Sequence, residues 1–250
     1  MKQLLIKFLS KFNYQLKKIK GFDEKNYPDF SKNDLELIRF VGPYTMTSPE
    51  RMFSLINSIE YVVANKIEGD VVECGVWRGG SSMIMAKKML ELAENQRHIY
   101  MYDTYDGMSE PTTDDLQYDG QVAEQMLNTS DKEVDQIWCY SALDAVKSNM
   151  KKTGFDLEKI HFIQGKVEDT IPNVLPKKIA ILRLDTDWYE STKHEMEHLF
   201  PLLVKGGVLI IDDYGHWQGA RKAIDEYLAA NNITILLNRI DYTGRIGIKM

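Results

Sequence analysis

From residue 70 onward, strand-like apolar segments alternate with helix-like segments, and this alternation constrains the fold more than any other feature. Chains with this pattern form parallel sheets with helices on both faces, joined by right-handed crossovers. Two further apolar segments flank Thr243 and Gly244 and predict an antiparallel hairpin. The sequence therefore predicts an α/β fold with a mostly parallel sheet. The predicted strands are residues 71–76, 98–103, 160–165, 179–185 and 208–213, and the predicted hairpin joins 233–237 to 245–249.

The segment before this alternation has a different composition. Its first twenty residues contain six lysines and no acidic residue, with apolar residues at near-helical spacing. Such a helix binds a membrane surface, or packs on its own domain or on a second subunit of a homo-oligomer. We favour packing, because apolar stripes on helices are usually packing faces. The flanking residues do not fit a signal peptide. We predict a helical extension and linker over residues 1–42 and one α/β domain over 43–250.

Composition argues against several classes of function. The formal net charge of −6 argues against a general nucleic-acid-binding protein, which usually carries a basic excess. Cys74 and Cys139 are far apart and match no zinc or redox spacing, which favours a cytoplasmic setting with reduced thiols. No apolar segment approaches the roughly 20 residues of a transmembrane helix.

Two predicted strands each end in a pair of aspartates. Asp185 and Asp187 follow one apolar segment, and Asp212 and Asp213 follow the next. Residues two apart on a strand point the same way, so a strand that persists to Asp187 would direct the first two carboxylates to one side. Ligands of parallel α/β sheets bind beyond the carboxyl ends of the strands. Four carboxylates there repel one another unless they bind a hard cation or share protons.

Structural roles are the alternative for several polar residues near the first aspartate pair. Acidic residues often lie at helix N-termini, which would explain one aspartate of that pair but not both together with the second pair. We expect Ser191 or Thr192 to cap the helix that follows. His194 and His198 have a spacing that binds metals on helices, but their charged neighbours, Glu195 among them, predict a solvated helix face.

The turn after the first predicted strand has the composition of a ligand-binding loop. Gly75 lets the backbone approach a ligand closely, and Gly79 and Gly80 allow a tight turn into a helix whose N-terminal amides favour an anionic group. The spacing is neither G-x-G-x-x-G nor a P-loop. Glu73 favours an amino-bearing ligand, and Asp103 at the end of the second strand favours a ribose. Together these residues predict a ribose-bearing ligand.

Five motifs in a fixed order carry a resemblance to a known family: E-C-G-V-W-R-G-G-S-S, Y-D-T-Y-D-G, E-D-T-I-P, L-D-T-D-W-Y-E-S-T and I-D-D-Y-G-H-W-Q-G-A-R-K-A-I-D. From about Tyr44 to the C-terminus the chain resembles the macrocin O-methyltransferase (TylF-type) family. The resemblance implies a Rossmann-like class I methyltransferase fold that uses S-adenosylmethionine and Mg²⁺ or another hard divalent cation. It also implies a sugar or polyol hydroxyl of a glycoside, polysaccharide or secondary metabolite as the acceptor.

The resemblance further implies roles for individual residues. Asp185, Asp212 and Asp213 would ligate Mg²⁺, and Asp187 would be the general base. Apart from the resemblance, the position of His216 just past Asp213 makes it the next candidate for the base. The residues implied to bind S-adenosylmethionine are Glu73, Gly75, Ser81 and Asp103, with Thr45 and Met46 over its methionine end and Asp169 near its adenine.

Other functions use similar aspartates and stay open at the level of sequence. A haloacid-dehalogenase-type phosphatase has its D-x-D motif early in the domain, whereas here more than 180 residues precede Asp185. A D-x-D glycosyltransferase needs a nucleotide-diphosphate site, and we find no clear basic pocket for one. A domain that binds S-adenosylmethionine without turnover is the third alternative. The long polar segment 106–120 predicts a lid or binding loop, and it does not identify the substrate.

Overall fold

The computed structural model describes residues 22–250 of the chain, and within them seven strands and eight α-helices. The strands are β1 (Asp70–Cys74), β2 (Ile99–Asp103), β3 (Ile160–Gln164), β4 (Ile179–Leu184), β5 (Leu203–Ile211), β6 (Asn238–Arg239) and β7 (Arg245–Ile248). The helices are α1 (Lys32–Val41), α2 (Pro49–Ala64), α3 (Gly80–Glu91), α4 (Ala123–Asn128), α5 (Leu143–Lys151), α6 (Val167–Thr170), α7 (Tyr189–His198) and α8 (Gln218–Ala230).

The strands form one sheet in the order β3-β2-β1-β4-β5-β7-β6. Strands β1 to β5 are parallel, and β7 pairs antiparallel with both β5 and β6. The chain runs outward from β1 to β3 and then returns to the other side of β1 to form β4. The crevice above the carboxyl ends of β1 and β4 is therefore a topological switch point, where open α/β sheets bind ligands.

Two apolar cores lie on the two faces of this sheet. Alternate strand residues such as Val71 and Ile181 point to one core, and Val72 and Leu182 point to the other. The first core also contains buried residues of α1, α2, α3 and α5, and the second those of α6, α7 and α8. A third, smaller cluster packs α4 against Trp188 and Trp217. The predicted α/β layering with helices on both faces is confirmed.

The C-terminal hairpin differs in one detail from the prediction. Its first strand is Asn238–Arg239 rather than residues 233–237. The side chains of Ile233, Ile235 and Leu237 pack against the second core instead of forming a strand ladder. Burial on one side thus explains the apolar pattern of that segment without strand pairing.

The N-terminal region is described only from residue 22 onward. The predicted basic helix, residues 1–20, lies outside the described residues. Helix α1 packs on α2 and α3, and its residues Leu37, Ile38 and Val41 are buried in the first core. Residues 32–41, which we assigned to the N-terminal extension, therefore pack directly on the α/β domain. The domain boundary at residue 42 stays a prediction. Within residues 22–250, no helix is long and apolar enough to cross a membrane.

Candidate active site

A cavity of about 420 Å³ opens at the carboxyl edge of the parallel strands. Its walls are the turn after β1, the end of β2, the turns after β4 and β5, and the long excursion between β2 and α5. The predicted site residues that line it are Thr45, Met46, Glu73, Gly75, Ser81, Asp103, Asp185, Asp187, Asp212, Asp213 and His216. The structure thus brings together all but one of the residues proposed from sequence.

The exception is Asp169. It lies on α6 with its side chain exposed and is not among the lining residues of the cavity. Its neighbours Val167 and Glu168 line the cavity instead. The predicted adenine contact of the Asp169 carboxylate therefore stays a prediction, because it is Gly165 to Glu168 of this segment that line the cavity.

Three aspartates form a compact carboxylate cluster in this cavity. Asp185, Asp187 and Asp213 each place one carboxylate oxygen within 4.8 Å of the others. They do not meet through strand periodicity, as the sequence argument supposed, because β4 ends at Leu184. Asp187 has a left-handed backbone with φ of 71°, which aspartate tolerates better than most residues. The turn at Asp187 thus returns its side chain to the cluster.

The cluster has unusual acidity. Burial, and then the charge of Asp185, raise the pKa of Asp187 to about 7. Burial likewise raises the pKa of Asp185 and of Asp213. Three close carboxylates are stable when they share protons or face a cation. Carboxylate oxygens are the ligands that hard divalent cations such as Mg²⁺ prefer, so this donor set fits such an ion.

Asp212 lies apart from the cluster and faces two arginines. Its carboxylate is buried, and it pairs with Arg51 of α2 and with the Arg183 guanidinium at 2.8 Å. Ser48 begins α2 by accepting the Arg51 amide hydrogen, and this turn places Arg51 at the cavity. Arg51 also pairs with Asp241 at 3.0 Å. Asp212 therefore balances two cationic side chains, and its predicted role as a metal ligand stays a prediction.

Arg183 connects the carboxylates of this site. It is 2% exposed in the middle of β4, and its guanidinium lies 2.7 Å from both Glu73 and Asp185 as well as 2.8 Å from Asp212. These acids raise the pKa of Arg183 although burial opposes the charge. One buried cation thus links Glu73 of β1 to the aspartates that directly follow β4 and β5.

The turn after β1 packs directly against the backbone of Asp185 and lines the same cavity. Gly75 has φ of +81°, and a Cβ there would collide with the Asp185 backbone. The Asp103 carboxylate accepts hydrogen bonds from the amides of Val76 at 2.6 Å, Trp77 at 3.0 Å and Tyr105 at 2.7 Å. Burial raises the pKa of Asp103 in spite of these donors. Asp103 therefore holds the β1 turn in shape at the position predicted for a ribose contact.

Backbone strain concentrates around this cavity. Trp77, Tyr105, Cys139 and Asp187 are non-glycine residues with positive φ, between 46° and 71°. Three of them line the cavity, and Tyr105 donates its amide to Asp103. Such conformations persist where the surrounding structure determines them, and they are common at functional sites.

Comparison with known proteins identifies the family. The sequence profile described as macrocin-O-methyltransferase (TylF) matches residues 2–246. The chain belongs to this family. As a TylF-family protein it is an S-adenosylmethionine-dependent O-methyltransferase. The match begins at residue 2 and so includes the lysine-rich segment, which the motif resemblance did not cover.

Individual relatives agree with this assignment. The chain is 32% identical over 201 residues, 80% of its length and 74% of the relative's, to the 8-demethyl-8-(2,3-dimethoxy-alpha-L-rhamnosyl)-tetracenomycin-C 4'-O-methyltransferase of Streptomyces olivaceus. It is 32% identical over 202 residues, 80% of its length and 76% of the relative's, to the mycinamicin III 3''-O-methyltransferase of Micromonospora griseorubida. The solved structure of the O-methyltransferase NovP shares 26% identity and a TM-score of 0.74, covering 99% of this chain and 97% of that one. The predicted family and class I methyltransferase fold are confirmed.

Sequence reasoning about this TylF-family enzyme missed several buried charges. Arg183 was detectable, because a charged residue inside an apolar strand must find a buried partner. Glu195 was expected on a solvated helix face, and this was wrong: it is fully buried, and it accepts a hydrogen bond from the Thr186 hydroxyl at 3.0 Å. Burial raises its pKa well above the usual value. Glu195 thus stabilises the turn between Asp185 and Asp187 through its hydrogen bond with Thr186.

The start of α7 also differs from expectation. The predicted caps Ser191 and Thr192 lie inside the helix and are buried. The amide of Tyr189, at the first turn, donates instead to the carboxylate of Asp115 at 2.7 Å. Asp115 also accepts hydrogen bonds from the Thr112 amide at 2.6 Å and hydroxyl at 2.9 Å. The loop between β2 and α4 therefore holds the helix that follows the D-T-D turn.

Proposed function

We propose that this enzyme transfers a methyl group from S-adenosylmethionine to a sugar hydroxyl of a glycosylated secondary metabolite, and that it requires Mg²⁺ or another hard divalent cation. The observation that carries the proposal is the carboxylate cluster of Asp185, Asp187 and Asp213, which shares one cavity with the loop after β1. The names of two relatives support the acceptor class, since one specifies a rhamnosyl tetracenomycin and another mycinamicin III.

The predicted ligand set fits the geometry in two of its three members. Asp185 and Asp213 would hold the cation from the ends of β4 and β5. A bound divalent cation would lower the pKa of the acceptor hydroxyl and fix its direction. Asp212 would join them only by leaving one of its arginine partners.

Asp187 is the proposed general base. As the acceptor oxygen forms its bond to the methyl carbon, the carbon–sulfur bond breaks and the hydroxyl proton passes to the Asp187 carboxylate. A base must lie within hydrogen-bond reach of that proton, and the left-handed turn keeps Asp187 at the cluster. Arg183 holds the neighbouring Asp185 carboxylate in place at 2.7 Å. Much of the rate enhancement comes from such positioning.

The loop after β1 is the proposed cofactor site. Gly75 and Ser81 line this part of the cavity. Asp103 would accept a ribose hydroxyl through a remaining lone pair, in addition to the three amide hydrogens that its carboxylate already binds. Glu73 has a more indirect role than the sequence implied, because Arg183 and the Ser82 hydroxyl already occupy its carboxylate. Thr45 and Met46 also line the cavity and would cover the methionine group of the cofactor.

The alternative functions receive less support. In this chain the D-T-D turn follows β4, after three earlier strands of the sheet, rather than opening the domain as in haloacid-dehalogenase-type phosphatases. A domain that only bound S-adenosylmethionine would not need three clustered carboxylates whose ionised forms repel one another.

Methyl transfer from radiolabelled S-adenosylmethionine to a rhamnosylated polyketide tests the proposal directly. We expect transfer in the presence of Mg²⁺, loss of transfer in EDTA and recovery when excess Mg²⁺ is restored. Stabilisation by S-adenosylhomocysteine in a thermal melt should survive EDTA, because the ribose site lies on a different wall of the cavity. Full turnover in EDTA would refute the metal requirement, and binding without transfer to any glycoside would favour the non-catalytic alternative.

A further inference from the structure

Three aromatic rings stand together at the mouth of the cavity, beside Asp213. They come from three separate segments: Tyr118 from the loop before α4, His216 from the turn after β5, and Tyr242 from the turn between β6 and β7. Their ring centroids are 5.8 Å apart for Tyr118 and His216, 5.9 Å for His216 and Tyr242, and 6.4 Å for Tyr118 and Tyr242. We call these three residues the aromatic collar.

The loop that carries Tyr118 is fixed in position. Gln117 closes a tight turn by donating its amide to the Gln121 carbonyl at 2.8 Å. Gln218, at the start of α8, donates its side-chain amide to the Gln117 carbonyl at 2.7 Å and its backbone amide to the Leu116 carbonyl at 2.8 Å. The backbone around Tyr118 is therefore held by the hydrogen bond that closes the turn 117–121 and by the hydrogen bonds from Gln218 of α8.

The turns that carry the other two rings are fixed to the segment that follows β5. The Thr243 hydroxyl donates to the Asp212 carbonyl at 2.6 Å, and the Gly215 amide donates to the Thr243 carbonyl at 2.8 Å. The His216 amide donates to the Asp213 carbonyl at 2.9 Å, and the Tyr242 hydroxyl lies 3.1 Å from His216 Nδ1. These bonds set the rings of His216 and Tyr242 at a defined position relative to the carboxylate cluster.

The rings are nevertheless open to solvent. Tyr118 is 60% exposed and Tyr242 is 54% exposed, although large aromatic side chains usually bury most of their surface. His216, Tyr242 and Gln117 line the cavity, and Tyr118 stands just beyond that lining. Exposed rings on a fixed backbone present π faces that bind a flat aryl ring, or the C–H face of a sugar, without a cost for ordering the backbone.

Charges around the collar favour a neutral ligand. Asp119 acts on His216 from one side, and the carboxylate of Asp213 lies on the cavity side. Arg51 also faces His216, but it is already paired with Asp212 and Asp241. An anionic group at the collar would meet acidic side chains, whereas a neutral ring would gain stacking contacts.

We propose that Tyr118, His216 and Tyr242 form an acceptor subsite that stacks the neutral ring bonded to the reacting sugar, either an aryl aglycone or the adjoining sugar. This inference rests on the proposed function, since it places the reacting hydroxyl at the carboxylate cluster. The collar would then select acceptors that carry a ring beyond the methylated sugar over free monosaccharides.

Two probes that differ only in this ring test the subsite: 4-nitrophenyl α-L-rhamnopyranoside and methyl α-L-rhamnopyranoside. Affinities are measured by NMR titration of the protein with S-adenosylhomocysteine and Mg²⁺ present. We expect wild type to bind the nitrophenyl glycoside more tightly. Tyr118→Ala and Tyr242→Ala should each lower the affinity for that glycoside by about two- to tenfold, which is the usual contribution of one stacked ring. Their effect on the methyl glycoside should be below about twofold.

Matched variants separate stacking from general damage. Tyr118→Phe keeps the ring face and should restore most of the affinity. Phe40→Ala removes another partly exposed aromatic ring, on α1 and outside the cavity lining, and should change neither affinity. Equal weakening of both probes by Tyr118→Ala, or no preference of wild type for the nitrophenyl glycoside, would overturn the subsite.

The binding readout keeps this inference separate from the proposed function. If collar variants weaken the nitrophenyl glycoside selectively but no glycoside is methylated, the subsite stands and the proposed reaction fails. If glycosides are methylated and the collar variants bind both probes as wild type does, the reaction stands and the subsite fails.

Discussion

Arg183 is the residue whose removal we expect to destabilise the molecule most. Its buried guanidinium contacts Glu73, Asp185 and Asp212. Arg183→Met would leave Glu73 and Asp185 without their cation, whereas Asp212 would keep Arg51. Removing one partner of a buried ion pair costs about 3–5 kcal/mol. Urea denaturation at pH 7 should show a loss of this size. Arg39→Met, at an exposed ion pair on α1, is the control and should cost less than about 1 kcal/mol. An unchanged midpoint for Arg183→Met would contradict the linking role.

The roles of the clustered aspartates are separable by metal titration. Asp187→Asn should bind Mg²⁺ and S-adenosylmethionine almost normally but turn over roughly 10²–10⁴-fold more slowly, because it removes the proton acceptor. Added Mg²⁺ should not restore its activity.

The ligand variants should behave in the opposite way. Asp185→Asn and Asp213→Asn lose charge from a hard-cation site, so excess Mg²⁺ should rescue part of their activity. Rescue of Asp212→Asn would support its predicted ligand role in spite of its arginine contacts. Rescue of Asp187→Asn would instead show that this residue is a ligand, with His216 the next candidate base.

At this scale the acidic residues were predictable and their partners were not. The aspartates follow apolar strand patterns, and the carboxyl ends of parallel strands meet at one edge of the sheet. The pairing of Asp212 with Arg51 joins residues 161 positions apart, and no local pattern encodes it. Burial of Glu195 depends on how α7 rotates against the sheet, which its charged neighbours obscured.

At the scale of elements, α7 depends on a cap from a distant loop. Asp115 accepts the Tyr189 amide hydrogen and is fully buried, and the structure shows no side-chain cap from Trp188. Asp115→Ala should lower the free energy of unfolding by about 0.5–2 kcal/mol, the range measured when a helix cap is lost. It should also lower Mg²⁺ affinity, because α7 follows the D-T-D turn directly. Asp115→Asn retains a carbonyl acceptor and should lose less. Urea denaturation and metal titration measure the two effects, and equal stability of Asp115→Ala and wild type would exclude the capping role.

Element boundaries were predictable where local signals agree. Ser48-Pro49 begins α2 as a cap residue followed by proline, a local signal that marks a helix N-terminus. The caps of α7 were wrong because the actual cap is 74 positions away in sequence. The first hairpin strand was misplaced because residues 233–237 show the apolar pattern of a strand while their side chains pack on the second core.

At the scale of the whole molecule, the alternation of segments predicted the layers but not the strand order. The order β3-β2-β1-β4-β5 depends on a return across β1, which the sequence does not encode in any segment alone. The same return creates the crevice that gathers the aspartates and the β1 loop. The cavity wall formed by the long excursion between β2 and α5, residues 104–142, is mostly irregular. Its contacts with α8 and with the residue before α7 were therefore not predictable.

Global stability should depend on pH through a histidine pair at the opposite edge of the sheet. His98 precedes β2 and His161 lies at the start of β3, with His98 Nδ1 and His161 Nε2 2.8 Å apart. One nitrogen must donate and the other accept, so protonating the accepting ring leaves two donors facing each other and breaks the hydrogen bond. Burial, and then the charge of His98, lower the pKa of His161.

The lowered pKa of His161 determines how stability changes with pH. The unfolded chain binds a proton at His161 with its ordinary pKa of about 6.5, whereas the folded chain binds it only at lower pH. The stabilising contribution is therefore complete above about pH 6.5 and is lost as the pH falls toward the folded pKa. His161→Phe keeps the stacked ring beside Tyr100 but cannot be protonated. Thermal melts of wild type and His161→Phe between pH 7.5 and 5 should show a smaller decrease of Tm for the variant. Parallel pH profiles of the two proteins would exclude the pair as a source of pH dependence. As a control, S-adenosylhomocysteine should stabilise both proteins equally at pH 7.5, because the pair lies at the amino edge of the sheet, away from the cavity.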